Sequence, residues 1–557
     1  MMLAVDKFYQ FILPNTVKVF AVCISEFVDA LIVAMLLGSQ AMAIVNLGSP
    51  IVMVVATLST LLVVGGGTLY ANLCGAFNKP EAERVFTIST IAALAVSGLL
   101  MLVALPFTGT ITSLLCVGDE ELIRESTSYI AILIASMPVL TIANVLFGFL
   151  PSAGKPGMSS WLMLLANIIN LSLDIVFIRF CGMGIEGAAY ATLCGYSVAM
   201  VVYIVLYMLR KVNMQLVRVS LSAFAGLKSV CSMGISAALS QLGFVIKVAA
   251  GNALALFFGG QAALIALSVC MQLLSICSIF VGGIGSSMIN ITATLQGQRD
   301  FPASDLVVRR AYCLIAVCSV VTMVLFYLFA SDIAVVYKAT KPPVLAMTVR
   351  AIHIFSLMIL LRSLIMAFMF YVQSIGKSTY ASFISLFDGF AGQLPLAYVG
   401  CLCMGIDGLW WSFPLTSVLL FFVVLAWNRH LYLSQQPSPF RNLLLIERDT
   451  NLLAEESGTE LLTSTNDSAL LLHRMIQDTG WHTPIAAYLS DMLQRRSPLK
   501  LDYHISQYPD KIVLNIRTNV NAVSNLSLNA PESTQVFNEK VLDMNSLCLV
   551  SAPYPPN

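Results

Sequence analysis

The sequence predicts an all-α polytopic membrane protein with twelve transmembrane helices in two pseudo-symmetric six-helix lobes, followed by a small α+β cytosolic tail domain. Three observations support this prediction. Only 11% of the 557 residues are charged and 58% are hydrophobic, whereas a soluble globular protein carries about 25% charged residues. Long apolar segments follow one another along most of the chain, and their second half repeats motifs of the first.

Twelve segments are long and apolar enough to cross a bilayer, which takes about 18 residues or more. The connections between them are short and rich in glycine, proline and charge. The segments lie roughly at residues 11–37, 49–73, 86–106, 127–150, 158–179, 184–209, 229–257, 262–292, 309–330, 346–373, 379–401 and 406–428.

The basic residues set the expected orientation, because loops rich in Lys and Arg stay in the cytosol. With the N-terminus inside, fourteen Lys and Arg residues of the region 1–433 fall on the cytosolic side and five on the outer side. We therefore expect a multi-pass protein of the cell inner (plasma) membrane with both termini in the cytosol. The formal net charge of +1 indicates no nucleic-acid partner, so the expected partners are the lipid bilayer and a small-molecule substrate.

An internal repeat indicates that the spans form two lobes. Gly154-Lys155 leads to Met183–Gly187, and the same order returns as Gly376-Lys377 leading to Met404–Gly408, displaced by 222 and 221 residues. Both halves start inside, so the repeat is parallel and leaves a cleft between two lobes. The predicted domains are an N-terminal lobe at 1–210, a linker at 211–228, a C-terminal lobe at 229–433 and a cytosolic tail at 434–557.

The tail differs from the rest of the chain in having few long apolar runs. Ser468–Arg496 has helix-like spacing, and Lys511–Thr518 alternates like a strand. The pattern faintly resembles a degenerate ATPase domain of the histidine-kinase type, because the Asn and Asp-x-Gly signatures that would hold nucleotide are not recognisable. We interpret the tail as a non-catalytic regulatory or interaction domain with a cytosolic partner.

Acidic side chains deep in apolar segments point to a functional site, because they are costly in lipid. Asn167, Asn170 and Asp174 are spaced so that they share one helix face. Asp174 and Asn170, with Asp29 of the first span and Thr192 of the sixth, would supply the oxygens that a hard cation such as Na⁺ takes, whereas a proton needs one carboxylate. The asparagines alone are equally explained as contacts between helices.

The same residues resemble those of the MATE (multidrug and toxic compound extrusion) family. The resemblance covers residues 10–430. Its motifs are Val28-Asp29, Pro50 before Gly65–Gly67, Asn170-x-x-x-Asp174 and Gly184-x-x-Gly187 leading to Thr192.

This resemblance implies a transporter that exports organic cations and other amphiphiles in exchange for H⁺ or Na⁺. By the same resemblance, Asp29, Asn170, Asp174 and Thr192 match the cation-binding group of the N-terminal lobe, and Pro14 matches the proline at which the first helix is proposed to bend. We assign Pro14 and Glu26, on the helix that carries Asp29, to conformational coupling.

The C-terminal lobe departs from that pattern, because Asn170 and Asp174 correspond there to the neighbourhood of Gly392 and Leu396. The cation constellation is therefore present once. Lys247 either pairs with Asp388 or lines the cleft, and a purely structural ion pair is the alternative. The possible substrate cleft also includes the basic residue Arg362 and five residues for which packing is the alternative: Asn144, Gln241, Asn252, Gln272 and Tyr371.

The predicted function is that of a secondary active antiporter working by alternating access, with H⁺ or Na⁺ as coupling ion and no cofactor. Two alternatives remain: a lipid-linked precursor flippase of the same superfamily, and a membrane sensor that uses the tail as output. The sequence has no nucleophile–base set and no metal-type spacing of Cys and His, so we expect no enzyme and no metal beyond a possible Na⁺.

Overall fold

The structure is a computed structural model, and it describes most of the chain up to residue 432 together with five strands of the tail. The described residues are 2–115, 120–298, 300–337, 342–432, 454–462, 499–507, 511–518, 537–540 and 547–553.

The first lobe is all-helical, with a buried core around Phe86, Phe149 and Leu162. Its helices are α1 (Met2–Leu37), α2 (Ser39–Gly75), α3 (Lys79–Ala104), α4 (Thr108–Leu115), α5 (Glu120–Phe149), α6 (Pro156–Ile175) and α7 (Gly184–Met208).

The second lobe is also all-helical, and it starts at Leu227, slightly before the predicted end of the linker at residue 228. Its helices are α8 (Leu227–Gly297), α9 (Phe301–Leu328), α10 (Ala330–Val336), α11 (Pro342–Ser356), α12 (Ile359–Ser374), α13 (Ser378–Leu386), α14 (Gln393–Met404) and α15 (Ile406–Tyr432).

Ten helical segments of the described residues are long and apolar enough to cross a membrane, and an eleventh is the bent pair α11–α12. One of the ten contains all of α8, whose 71 residues are broken at Gly260 by a non-helical φ of 63°. A helix that long would far exceed the hydrocarbon core of about 30 Å. Counting its two halves separately gives twelve spans. The tenth span, predicted as one helix over 346–373, is bent by 46° between Ser356 and Ile359.

The repeat in the sequence is a repeat in the local structure. The side chain of Asn78 caps the start of α3 by accepting from the Glu81 amide, and Asp300 caps α9 by accepting from the Ala303 amide. Each cap is followed by a proline in the first helical turn, which suits a position without a hydrogen-bonded amide. The equivalent turn glycines Gly184 and Gly405 have left-handed φ values of 57° and 62°.

The predicted fifth and eleventh spans each contain an interruption. After Ile175 and after Leu386 the chain widens into a π-helical turn, at Val176–Phe180 and at Phe387–Ala391. Such turns inside helices frequently lie at functional sites. The first begins two residues after Asp174, and the second contains Asp388.

The two lobes meet most closely where α2 and α8 run side by side. A Cβ atom on Gly65 would collide with the backbone of Val230 and Gly234, and one on Gly75 with the backbone of Thr294. Small residues allow membrane helices to approach backbone to backbone in this way. A Cβ atom on Gly297 would likewise collide with the Asn72 carbonyl. We call this side of the molecule, where the last residues of α2 lie beside the first and the last residues of α8, the Gly75/Gly297 end.

Helix α1 belongs to both lobes. Its first half places Phe8 and Phe11 in a core formed otherwise by helices of the second lobe, while its later residues pack against α6 of the first lobe, where Asn167 Nδ2 donates to the Ala21 carbonyl at 3.3 Å. A movement between the lobes therefore has to be accommodated along α1.

The described strands of the tail form one antiparallel sheet in the order β1-β2-β3-β5-β4. The segment predicted as a strand, Lys511–Thr518, is β3. The predicted helical stretch Ser468–Arg496 lies outside the described residues. The strands are β1 (Ala454–Leu462), β2 (Leu499–Gln507), β3 (Lys511–Thr518), β4 (Phe537–Lys540) and β5 (Leu547–Pro553).

Candidate functional site

Four side chains that the sequence analysis grouped lie together in the first lobe. Asn170 Nδ2 donates to Thr192 Oγ1 at 3.2 Å and lies 3.4 Å from Asp174 Oδ2. Asp29 of α1 lies within hydrogen-bonding reach of Asp174. Three helices, α1, α6 and α7, thus bring two carboxyl groups, one amide and one hydroxyl to one place.

A close helix contact positions the amide and the hydroxyl. A Cβ atom on Gly195 of α7 would lie 2.6 Å from the Ala166 carbonyl oxygen and 3.0 Å from the main-chain nitrogen of Asn170. Only glycine lets α7 approach α6 so closely. Because Thr192 precedes Gly195 by three residues, it lies on the same side of α7 and faces Asn170.

The two carboxyl groups have more acceptor atoms than the described residues supply donors. Asp174 is fully buried, at 0% exposure. Among the residues that the structure describes, neither Asp29 Oδ1 nor Asp174 Oδ1 has a hydrogen-bond partner. Two carboxylates at hydrogen-bonding distance cannot both be ionised without compensation. The arrangement therefore requires either a shared proton or a bound cation.

Tyr129 of α5 is a neighbour of this pair that the sequence analysis did not identify. It is buried, and its phenol interacts electrostatically with both Asp29 and Asp174. No sequence signal distinguishes it, because Tyr129 is one of 18 tyrosines in a chain of apolar spans. Its hydroxyl can serve as a hydrogen-bond donor to a carboxylate.

The two residues assigned to conformational coupling lie on α1. Pro14 is inside the helix, and its carbonyl accepts a hydrogen bond from Ser160 Oγ of α6 at 2.5 Å. Glu26 lies three residues before Asp29, and its side chain is outside what the structure describes. α1 runs through Pro14 as one continuous helix, so the proline does not break it in this structure.

A second group of charged residues lies in the second lobe, where Asp388 accepts from two cations. Lys247 Nζ and Arg362 Nη2 lie 3.0 and 3.1 Å from the same atom, Asp388 Oδ2. Close contact between Gly243 and Gly389 positions the lysine, since a Cβ on Gly243 would lie 2.8 Å from the Gly389 Cα. Lys247 is one helical turn beyond Gly243, and Asp388 adjoins Gly389.

These three charged side chains line a cavity of about 310 Å³. Its walls come mostly from α8 and α12, with Ser385 contributed by α13 and Thr60 and Val64 by α2 of the first lobe. Gln241 lines it as well. The remaining residues predicted for the cleft are elsewhere: Asn144, Asn252, Gln272 and Tyr371 are not among its lining residues.

Sequence comparison places this architecture among known transporters. The MatE family model matches residues 14–176 and again residues 237–399. The multidrug export protein MepA of Staphylococcus haemolyticus is 23% identical over 394 residues, which covers 70% of this chain and 85% of MepA. MepA of Staphylococcus aureus is 23% identical over 424 residues, covering 74% of this chain and 90% of MepA.

Structure comparison agrees with the sequence comparison. An outward-facing multidrug resistance MATE family transporter superposes with a TM-score of 0.72 at 21% identity, over 78% of this chain and 97% of that one. A MOP superfamily transporter from Pyrococcus furiosus superposes with a TM-score of 0.70 at 21% identity, over 77% and 95%. The two family matches together cover more than half of the chain. The chain therefore belongs to the MATE family (MatE) of multidrug efflux transporters, which are multi-pass membrane proteins and not enzymes.

Proposed function

We propose that this protein is a secondary active antiporter that exports organic cations or other amphiphilic small molecules in exchange for H⁺ or Na⁺. The observation that carries the proposal is the buried pair Asp29 and Asp174, two acids at hydrogen-bonding reach with unsatisfied oxygens among the described residues. The binding of a proton or cation between them removes a repulsion, so the ion changes how α1 packs against α6.

Helix α1 is well placed to pass that change to the second lobe. Asn15 Nδ2 donates to Ser287 Oγ of α8 at 2.8 Å, and Thr16 packs against Gly283. An ion that binds better when α1 is packed in one way shifts the equilibrium between the two arrangements of the lobes, as alternating access requires. The ion and the exported molecule must favour different arrangements or compete for one.

The proposed orientation puts the Gly75/Gly297 end and both chain termini in the cytosol of a plasma-membrane protein. The support is the excess of basic residues in the loops on that side. In this orientation the close contacts between α2 and α8 lie on the cytosolic side of the cleft and close it there.

Transport in membrane vesicles tests this function directly. The full-length protein in inverted vesicles should accumulate the cationic dye ethidium when a pH or a Na⁺ gradient of the correct sign is imposed, each gradient being applied separately. Accumulation under one gradient identifies the coupling ion. The acidic dye dansylglycine is tested in the same way. If neither gradient drives uptake of ethidium or of dansylglycine above the level of vesicles without the protein, the antiport proposal is wrong.

A flippase for a lipid-linked precursor is a second candidate, and Lys247 and Arg362 favour it, since a phosphate headgroup would need a basic cleft. The discriminating observation is transport of a water-soluble probe between two aqueous compartments. An antiporter moves such a probe, whereas a flippase moves only molecules that stay anchored in the bilayer.

We propose that residues 434–557 act as a regulatory or interaction domain that binds a cytosolic partner. The alternative is a sensor in which the tail is the output and the helices are a receptor. A version truncated after residue 433 separates the two: an exporter with a regulatory tail keeps gradient-driven transport, whereas a sensor with no transport activity shows none with or without the tail.

A further inference from the structure

The charged group in the second lobe contains more positive than negative charge. Two cations, Lys247 and Arg362, share one oxygen of one acid, Asp388. Lys247 is only 4% exposed. The three side chains carry a formal charge of +1, and Asp388 is the single acidic residue among those that line the cavity in the described part of the chain.

A buried net charge is costly unless an opposite charge accompanies it. A carboxylate already held by two cations cannot offer a free anion to an organic cation, which would also meet the repulsion of Lys247 and Arg362. An incoming anion would instead bring the group to neutrality. Arg362 presents a planar set of donors and Lys247 three donors, which suit carboxylate, sulfonate or phosphate oxygens.

The other walls of the cavity are mainly apolar. Phe244, Val281, Met366 and Phe370 line it beside the charged group. Aromatic and methionine side chains suit a flat apolar body and adapt to its shape. The cavity thus combines a cationic end with an apolar wall.

We propose that this cavity binds the acidic group of a small aromatic amphiphile, with Lys247 and Arg362 holding the anion and Asp388 holding the two cations in place. The inference rests on the proposed export function, for which it names the substrate class at this site. At this cavity acid-bearing amphiphiles should bind more tightly than the organic cations that the family resemblance implies, without excluding those cations as weaker substrates.

Binding of three related dansyl probes to the full-length protein in detergent tests the proposal. Dansylglycine carries a carboxylate, its methyl ester is neutral at that position, and dansylcadaverine carries an ammonium group. Dansyl fluorescence titrations should give the order dansylglycine, then ester, then dansylcadaverine, with about tenfold tighter binding of the acid than of the ester. An equal affinity for acid and ester, or tighter binding of dansylcadaverine, would overturn the proposal.

Two substitutions shift the charge of the cavity in opposite directions. Arg362→Gln leaves a neutral Lys247–Asp388 pair and should weaken dansylglycine about tenfold, with little effect on the ester. Asp388→Asn leaves two cations and should tighten dansylglycine about tenfold, a gain that misfolding cannot produce. Weaker binding of dansylglycine to Asp388→Asn, or unchanged binding to both variants, would contradict the assignment.

Arg350→Gln is the matched control, because it also removes one arginine from an ion pair. Arg350 is 65% exposed, pairs with Asp407 at 2.7 Å and does not line the cavity. It should leave the order of the three probes unchanged. These titrations need no ion gradient, so they test the acid-binding site separately from the antiport proposal. The predicted order of probe affinities without gradient-driven transport would refute only the antiporter. Ethidium export together with tighter binding of dansylcadaverine than of dansylglycine would refute only the acid-binding site.

Discussion

Gly65 of α2 and Gly234 of α8 lie backbone against backbone where the two lobes meet, with no space for a side chain on either residue. Contacts of this kind are rigid, because the separation of the helices is set by main-chain atoms. They stabilise one arrangement of the two lobes, and the alternating access that we propose requires these contacts to break and form again.

Gly234→Ala should loosen this contact. The added methyl group meets the Leu61 carbonyl and the Gly65 amide nitrogen, and overpacking of this kind costs about 1–3 kcal/mol. Since the cost falls on the arrangement in which the lobes touch, hydrogen exchange at residues 61–75 and 227–240 should become faster. Gly98→Ala is the control, because a Cβ there has no neighbour within 4 Å. Equal protection in the two variants would refute the proposed role of this contact.

Asn15→Ala should uncouple α1 from the second lobe. It removes the 2.8 Å hydrogen bond to Ser287, whose hydroxyl still donates to the Gly283 carbonyl. The expected loss of stability is therefore modest, about 1 kcal/mol, whereas gradient-driven export should fall by more than that loss explains. Ser268→Ala, on an exposed position whose hydroxyl bonds within its own helix, is the control for export rate. Wild-type export by Asn15→Ala would argue against coupling through this contact.

In the charged group of the second lobe, a second substitution should partly restore the stability that a first one removes. Asp388→Asn leaves the buried Lys247 and the partly buried Arg362 without an acid and should lower stability by about 3–5 kcal/mol, whereas Lys247→Met leaves a neutral pair and should cost less. Adding Lys247→Met to Asp388→Asn removes a repulsion, so the double variant should have a higher Tm than Asp388→Asn alone. Tm from size-exclusion profiles after heating measures all three, with Arg350→Gln as control.

A double variant that is less stable than both single variants would contradict this account of the charges. Transport measurements show whether Lys247, Arg362 and Asp388 take part in export or only stabilise the fold. If Lys247→Met and Asp388→Asn both export ethidium and dansylglycine at the wild-type rate, the three residues only stabilise the fold.

Most of the fold could be predicted because lipid imposes a simple rule on the sequence. Apolar runs mark the spans, and the repeat at 222 residues reappears as two equivalent caps at Asn78 and Asp300. The bend between Ser356 and Ile359 and the π-helical turns carry no such mark, since a wider turn leaves hydropathy unchanged. Those features depend on packing between helices that are distant in the sequence.

The candidate sites were also predictable from the sequence only in part. Asp29 and Asp174 stand out in the sequence because a carboxyl group in an apolar span is costly, and the structure places them side by side. The place of Arg362 beside Lys247 depends on the bend before α12 and on the contact of Gly243 with Gly389. Neither is visible in the spacing of the charged residues. Tyr129 gave no signal at all, because tyrosine is common in membrane spans.

We propose that the Asp29–Asp174 pair couples an ion gradient to export, and Asp174→Asn in proteoliposomes tests this role most directly. The substitution keeps the size of the side chain and removes the charge, with Asp332→Asn, at an exposed acid of α10, as control. We expect the full-length variant to keep its Tm but to transport ethidium and dansylglycine no faster than empty liposomes under pH and Na⁺ gradients. Gradient-driven export at the wild-type rate for either probe would contradict the account.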